Sequence, residues 1–244
     1  MHNCYLPYYH RAYYEAFREE RGKDFLLFSR SGYLGTQCFA AQFSGDHDAD
    51  FHSLKAIIRG GLNLGICGFP FHVMAMLPRG GWGVKGEGVN GEVYTRWIQT
   101  STFWPLMGTY GVTPYEAAKF GSEFIRIYRL YASIRMNLLP YIFHHAIESS
   151  IKGVPIVRAL FLHYPKDKEV YEIEDEYIFG SSILVAPILE GGITDREVYL
   201  PEGEWIDFWD NNRRYNGSAK MIWRGEIEKM PIFIKAEFDN AINA

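Results

Sequence analysis

The runs Phe25-Leu26-Leu27-Phe28-Ser29-Arg30-Ser31-Gly32 and Phe39-Ala40-Ala41-Gln42-Phe43-Ser44-Gly45-Asp46 decide how this chain is read. Each is a short apolar segment that ends at a glycine turn, and each turn carries one charged side chain. Arg30 sits at the first, and Asp46 follows it by sixteen residues. Two successive strands that each deliver one charged group at the C-terminal end form the mouth of a β/α barrel. A positioned carboxyl group beside a guanidinium suits acid/base chemistry on a polyhydroxylated substrate. A surface loop with an Arg–Asp ion pair satisfies the same spacing.

Outward from these runs, helix and strand patterns alternate up to about residue 165. Ala12, Tyr13, Ala16 and Phe17 recur at helical spacing, and Gly22 stops that helix. Asp50 is placed to cap a helix with the apolar face Phe51, Leu54, Ile57 and Ile58, closed by Gly60-Gly61. Leu62–Cys67 reads as the next strand and Tyr94–Phe103 as a helix. Thr113-Pro114-Tyr115-Glu116 combines a capping box with proline in the first turn. The helix it starts is expected to run to about Ser133, and a further one to Gly153 with a kink at Pro140. Pro155–Leu162 reads as a strand. Such alternation predicts parallel strands with helical crossovers. After residue 175 the pattern changes to short strands: Ile183–Ile188, Glu197–Leu200, Trp205–Trp209, Met221–Trp223 and Ile232–Ile234. Turn signals at Glu190-Gly191-Gly192, Pro201-Glu202-Gly203 and Asn216-Gly217 separate them, as in antiparallel sheets. The expected architecture is therefore α/β: a partial β/α barrel of the TIM type over 1–165, then a small antiparallel β-sandwich-like domain over 166–244.

The 244 residues are 48% hydrophobic, a globular composition, and 25 basic against 29 acidic residues leave a net charge of −4. No basic stripe points to nucleic acid. No apolar run reaches the length of a membrane span and no signal pattern is visible at the N-terminus, so a cytoplasmic setting is the expectation. Cys4, Cys38 and Cys67 are three widely spaced residues without a C-x-x-C, which indicates neither a disulfide framework nor zinc. Asp46, Asp48 and Asp50 imitate the opening of a calcium loop, but Phe51 and Ile57 occupy the positions where Gly and Glu are required. Gly86, Gly88 and Gly91 spell a dinucleotide fingerprint with no strand before it, and His144-His145 diverge around a helix, so no cofactor or metal is expected.

The run RSGYLGTQCFAAQFSGDHDADFHSLKAIIRGGLNLGICGFPF resembles glycoside hydrolase family 31, the α-glucosidase and α-xylosidase family. Members carry a run like RSGYAGSQ, then W-x-G-D, then a helix ending near G-G-L, then a G-F-P-F-like segment. Further matches follow in the same order. Arg158-Ala159-Leu160-Phe161-Leu162 is similar to M-R-P-L-F-L, and Phe179-Gly180 with Leu184-Val185-Ala186-Pro187 to F-G-x-x-L-L-V-A-P. Val198–Trp205 with Asp207-Phe208-Trp209 is similar to V-Y-L-P-x-G-x-W-Y-D-F-W. Together the matches span nearly the whole chain.

The resemblance implies a retaining α-glycosidase with no cofactor and an oligosaccharide or α-glycoside as substrate. Asp46 falls on the family's general acid/base, a role that requires an environment keeping it protonated near working pH. Arg30 falls on the arginine that hydrogen-bonds the sugar, although a structural ion pair fits it as well. Phe43 stands where a tryptophan usually lines the pocket, and Phe71 and Tyr110 join the expected substrate contacts. Retaining hydrolysis needs a second carboxylate. In the family it precedes a segment like M-H-N-x-Y, here Met1-His2-Asn3-Cys4-Tyr5, so no nucleophile is expected within these residues. About four strands of a barrel of eight are counted, and a complementary N-terminal half of the barrel is the expected partner. Three departures stand out: Ala75 where the family has an Asp that binds a hydroxyl, and Gly108 and Tyr110 where it has Arg and His. They signify either an unusual terminal sugar or a decayed pocket. The alternative function is a non-catalytic carbohydrate-binding or interaction protein derived from the family.

Overall fold

A computed structural model describes residues 2–45, 47–77, 90–109 and 117–238. Helix α1 (Tyr5–Arg21) ends at Gly22, whose φ of +66° only glycine adopts without strain. Strands β1 (Phe28–Ser29), β2 (Ala41–Phe43), β3 (His72–Leu77) and β4 (Leu106–Thr109) pair in that order, all parallel. The crossovers are helical: α2 (Phe51–Ile66) between β2 and β3, and α3 (Gly91–Thr102) between β3 and β4. Asp50 caps α2 by accepting the Ser53 amide at 2.7 Å, and Asn90 caps α3 from Val93 at 2.8 Å. The parallel sheet and its helices are part of a β/α barrel.

Two sequence expectations fail here for one reason. Gly60-Gly61 does not end α2, and Leu62–Cys67 is not a strand: Leu62–Ile66 form the last turns of α2. A side chain on Gly61 would collide with Trp104 and with His72, so this glycine marks the close approach of α2 to β3, not a helix stop. The strands that do exist at this level, β3 and β4, went unread. Pro140 likewise does not kink a helix. It lies in the first turn of α5 (Leu139–Lys152), directly after α4 (Ser122–Asn137), where its missing N–H is harmless. The helix start expected at Thr113–Glu116 lies outside the described residues.

The second part of the chain is antiparallel. Strands β5 (Val157–Ala159), β6 (Tyr177–Phe179), β7 (Ile183–Val185), β9 (Glu204–Asp207), β10 (Asp210–Asn216) and β12 (Ile232–Lys235) form one sheet in the order β10-β9-β12-β7-β6-β5. Strands β8 (Asp195–Leu200) and β11 (Ala219–Arg224) form a second. The strand expected at Pro155–Leu162 does not extend the parallel sheet: Val157–Ala159 pairs antiparallel with β6, and Leu160–His163 turns into a short helix. Residues before 165 thus enter the antiparallel sheet.

Helix α3 joins the two parts. Every residue from Val93 to Thr102 is buried, between the parallel sheet on one side and loops of the β part on the other. Arg96 donates to the carbonyls of Ile193, Ile227 and Lys229, and Glu92 accepts the Gly192 amide at 2.9 Å.

His72, only 2% exposed, packs edge-on against Trp104 with ring centroids 4.6 Å apart, and neither ring nitrogen has a hydrogen-bond partner among the described residues. Burial pushes its pKa down to about 3, so it is neutral in the fold. Unfolding returns it to the ordinary value of 6.5. The unfolded chain therefore binds the proton first, and stability falls as pH drops below 6.5 towards 3. Between pH 8 and pH 5 this single group removes about 2 kcal/mol. Urea midpoints at the two pH values should differ less in His72→Phe by that amount, and an unchanged difference would refute a buried neutral imidazole.

Candidate active site

The parallel strands all run the same way, so the segments leaving β1 and β2 emerge at one end of the sheet. Ser29, the last residue of β1, is held from behind. Its hydroxyl donates to the Ser31 carbonyl at 3.3 Å and lies 2.7 Å from His10 Nε2 of α1. With the serine proton so used, the imidazole Nε2–H is the donor, consistent with burial holding His10 neutral. The loop that follows is tied by its own hydrogen bonds: the Gly35 amide donates to Gln37 Oε1 at 2.7 Å, and Thr36 Oγ1 donates to the Tyr33 carbonyl at 2.8 Å. At Gly32 the amide end of the Gln42 side chain of β2 occupies the space a Cβ would take. Gly35 is needed because its φ is +99°.

Arg30, exposed at this end, folds over the turn that leaves β2. A Cβ on Gly45 would lie 3.1 Å from Arg30 Nε and 3.6 Å from Cζ, so the guanidinium rests against the Gly45 backbone. Gly45 is buried with φ +94° and immediately precedes Asp46. Asp46 itself and Tyr110 lie outside the described residues. Phe43 closes β2 half-buried on the same connection. Further along, Trp97 Nε1 of α3 donates to the Asp50 carbonyl at 3.2 Å, which ties the far end of the connection to the buried helix.

Phe71 immediately precedes β3, where its carbonyl accepts the Gln42 amide at 2.9 Å and its half-buried ring packs on the main core. The two other departures prove to be neighbours: Ala75 of β3 is the Cα partner of Gly108 of β4. Sequence spacing gave no sign of that, since register is set by the pairing of distant segments. Buried His145 has its Nδ1 2.9 Å from Glu148, which also meets Arg158 at 2.9 Å and Lys152 at 3.2 Å. That cluster ties α5 to β5.

Against known families, residues 1–145 match the glycosyl hydrolases family 31 TIM-barrel domain, and residues 153–238 match the family 31 C-terminal domain. The chain belongs to glycoside hydrolase family 31. An isomaltosyltransferase of Sporosarcina globispora is 35% identical over 96% of this chain and 22% of its own length. Alpha-glucosidase 2 of Bacillus thermoamyloliquefaciens is 32% identical over 96% of this chain and 30% of its own. Among solved structures, a Flavobacterium johnsoniae dextranase complexed with isomaltotriose superposes with a TM-score of 0.87 at 31% identity, covering 96% of this chain and 30% of that one. A family 31 α-xylosidase from a soil metagenome, complexed with xylose, gives 0.85 at 30% identity over 94% and 37%. The chain thus spans between about a fifth and a third of the length of these two curated relatives. Among the described residues no helix is long and apolar enough to cross a membrane.

Proposed function

We propose that these residues form the acid/base side of a retaining α-glycosidase site, with Asp46 as general acid/base and Arg30 as a sugar contact. The observation that carries this is the packing of the Arg30 guanidinium on Gly45, one residue before Asp46, at the C-terminal ends of β1 and β2. In retaining hydrolysis one carboxyl group protonates the departing oxygen while a second attacks the anomeric carbon from about 5–5.5 Å away. Asp46 takes the first task, and a guanidinium beside it orients a hydroxyl through fixed donors. Phe43 supplies an apolar wall. Tyr110, the residue after Thr109 in the sequence, completes the contacts we assign. The substrate is an α-glycoside or oligosaccharide.

The 244 residues taken alone hold one member of the carboxylate pair. Asp50 does not replace the other, since its carboxylate caps α2 and it lies on the same connection as Asp46. Further barrel strands, such as a complementary N-terminal half would bring, supply the nucleophile. Release of nitrophenol from aryl α-glucosides, α-xylosides and α-galactosides by this chain on its own should therefore stay at the uncatalysed rate. Turnover abolished by Asp46→Ala would overturn this assignment of the nucleophile.

The second reading, a carbohydrate-binding protein without catalysis, is favoured by one observation. Ala75 and Gly108, which stand where the family has charged sugar contacts, adjoin in register. Losing both charges together leaves neither buried alone, the arrangement that costs least. Saccharide binding measured by calorimetry on a completed barrel that shows no hydrolysis would decide for this reading.

A further inference from the structure

We propose that the β part holds a binding site for a pyranose unit of a neutral saccharide, using none of Arg30, Phe43 and Asp46. The site is the cavity between the β9–β10 turn and the segment that leaves β11.

The cavity measures about 350 Å³, near the small end of the roughly 300–1,000 Å³ usual for ligand pockets. Asp207 and Trp223 are its buried lining residues, and Trp209 is half-buried. The pairing of the β part draws these walls together. Asp207 of β9 stands opposite Asp210 of β10, and the next pair is Ile206 with Arg214, so residues 211–213 bulge from the hairpin. A bulge re-aims side chains. Asp210 holds this one by accepting the Asn212 amide at 3.1 Å and meeting Arg213 Nε at 3.2 Å, which brings Arg213 to the cavity. On the other side the Lys229 amide donates to the Glu226 carbonyl at 2.9 Å, a turn that sets Lys229 on the cavity wall.

Two side chains are left ready for a ligand. Asp207 is 4% exposed and Oδ1 accepts the Trp209 amide at 2.8 Å, while Oδ2 accepts no hydrogen bond among the described residues. A carboxylate oxygen so deeply placed costs stability unless a donor reaches it. Lys229 is half-buried and forms no ion pair among the described residues. Between them lies a fixed indole. Trp209 Nε1 donates to the Met230 carbonyl at 2.7 Å, and its ring meets Tyr131 with centroids 6.1 Å apart. Such a ring offers a flat apolar face to the C–H face of a pyranose and loses little freedom when the sugar binds. Charge selects a neutral ligand. Asp207, Asp210 and Glu226 are matched one for one by Arg213, Arg224 and Lys229, so neither an anion nor a cation gains a net attraction from the lining. Sugar hydroxyls donate and accept alike, and so satisfy Asp207 and Lys229 together.

Titration of the chain with maltose and with isomaltose, followed through its indole N–H chemical shifts, tests this. Of the six tryptophans, Trp209 should shift most, its signal assigned by its absence in Trp209→Phe, with a Kd on the order of 1 mM. Asp207→Asn keeps the shape and the acceptor for the Trp209 amide but turns the free oxygen into a donor. Lys229→Met keeps the stem and removes the ammonium. Each should raise Kd about tenfold, whereas Arg30→Ala should leave it unchanged. A titration that leaves the Trp209 signal in place, or an affinity that survives both cavity variants, overturns the proposal. Loss on Arg30→Ala alone would put the sugar at the barrel mouth, which overturns this site and leaves the glycosidase reading standing. Tighter binding of glucosamine or glucuronate than of glucose would overturn the neutral ligand.

Discussion

In a protein that holds these residues together with a nucleophile strand, Asp46→Ala lowers the hydrolysis of an α-linked disaccharide by about 10²–10⁴-fold. The same substitution affects a nitrophenyl glycoside far less. The difference follows from what the acid does. A sugar alkoxide is too basic to leave without a proton, whereas a nitrophenolate is stable as it departs. Paired kcat/KM values for the two substrates in each protein read this directly. Losses of equal size on both would mean that Asp46 acts on the sugar itself, as a nucleophile or a binding group. A loss below tenfold on the disaccharide would remove Asp46 from the acid role.

The loop that begins at Arg30 was legible because local rules act there. Gly35, at a φ of +99° that favours glycine, stands in the quoted run. Asp50 was equally plain as a cap. The misreadings share a cause, which is that sheet membership and close approach are decided by distant partners. Gly61 looks like a helix stop until Trp104 and His72 are brought against it. His72–Leu77 has no alternation of apolar and polar residues, and His72, Val73 and Met74 are all buried, so it did not stand out as a strand. Strand β10 is the opposite case, polar and exposed through Asp210–Arg214, held by pairing to β9 alone. Val157–Ala159 is apolar enough for either sheet, and only its partner β6 assigns it.

Arg96→Ala destabilises the chain by about 2–5 kcal/mol, a large share of the roughly 5–15 kcal/mol that holds a domain together. Arg96 is 1% exposed and, among the described residues, forms no ion pair. Its Nη1 donates to Gln99 at 3.0 Å, Lys229 O at 3.1 Å and Ile227 O at 3.3 Å, and its Nη2 to Ile193 O at 3.3 Å. Burial lowers its pKa, but from so high a starting value that it stays charged, balanced by carbonyl dipoles. Truncation leaves those carbonyls unsatisfied and opens a cavity between α3 and the loops before β8 and β12. Arg96→Lys retains the charge without the planar fork, so it should fall between the native chain and Ala. Arg96→Met fills the volume and removes the cost of burying a cation, so it should lose less than Ala. Urea unfolding of the three variants gives the order, and its slope tests the coupling. Because α3 is the helix between the parallel sheet and the β part, breaking its main tie should let the two unfold separately and lower the apparent m value. A change within 1 kcal/mol for Arg96→Ala, at an unaltered slope, would show that the interface is held by apolar packing around Trp97 and Tyr131 instead of by this cation.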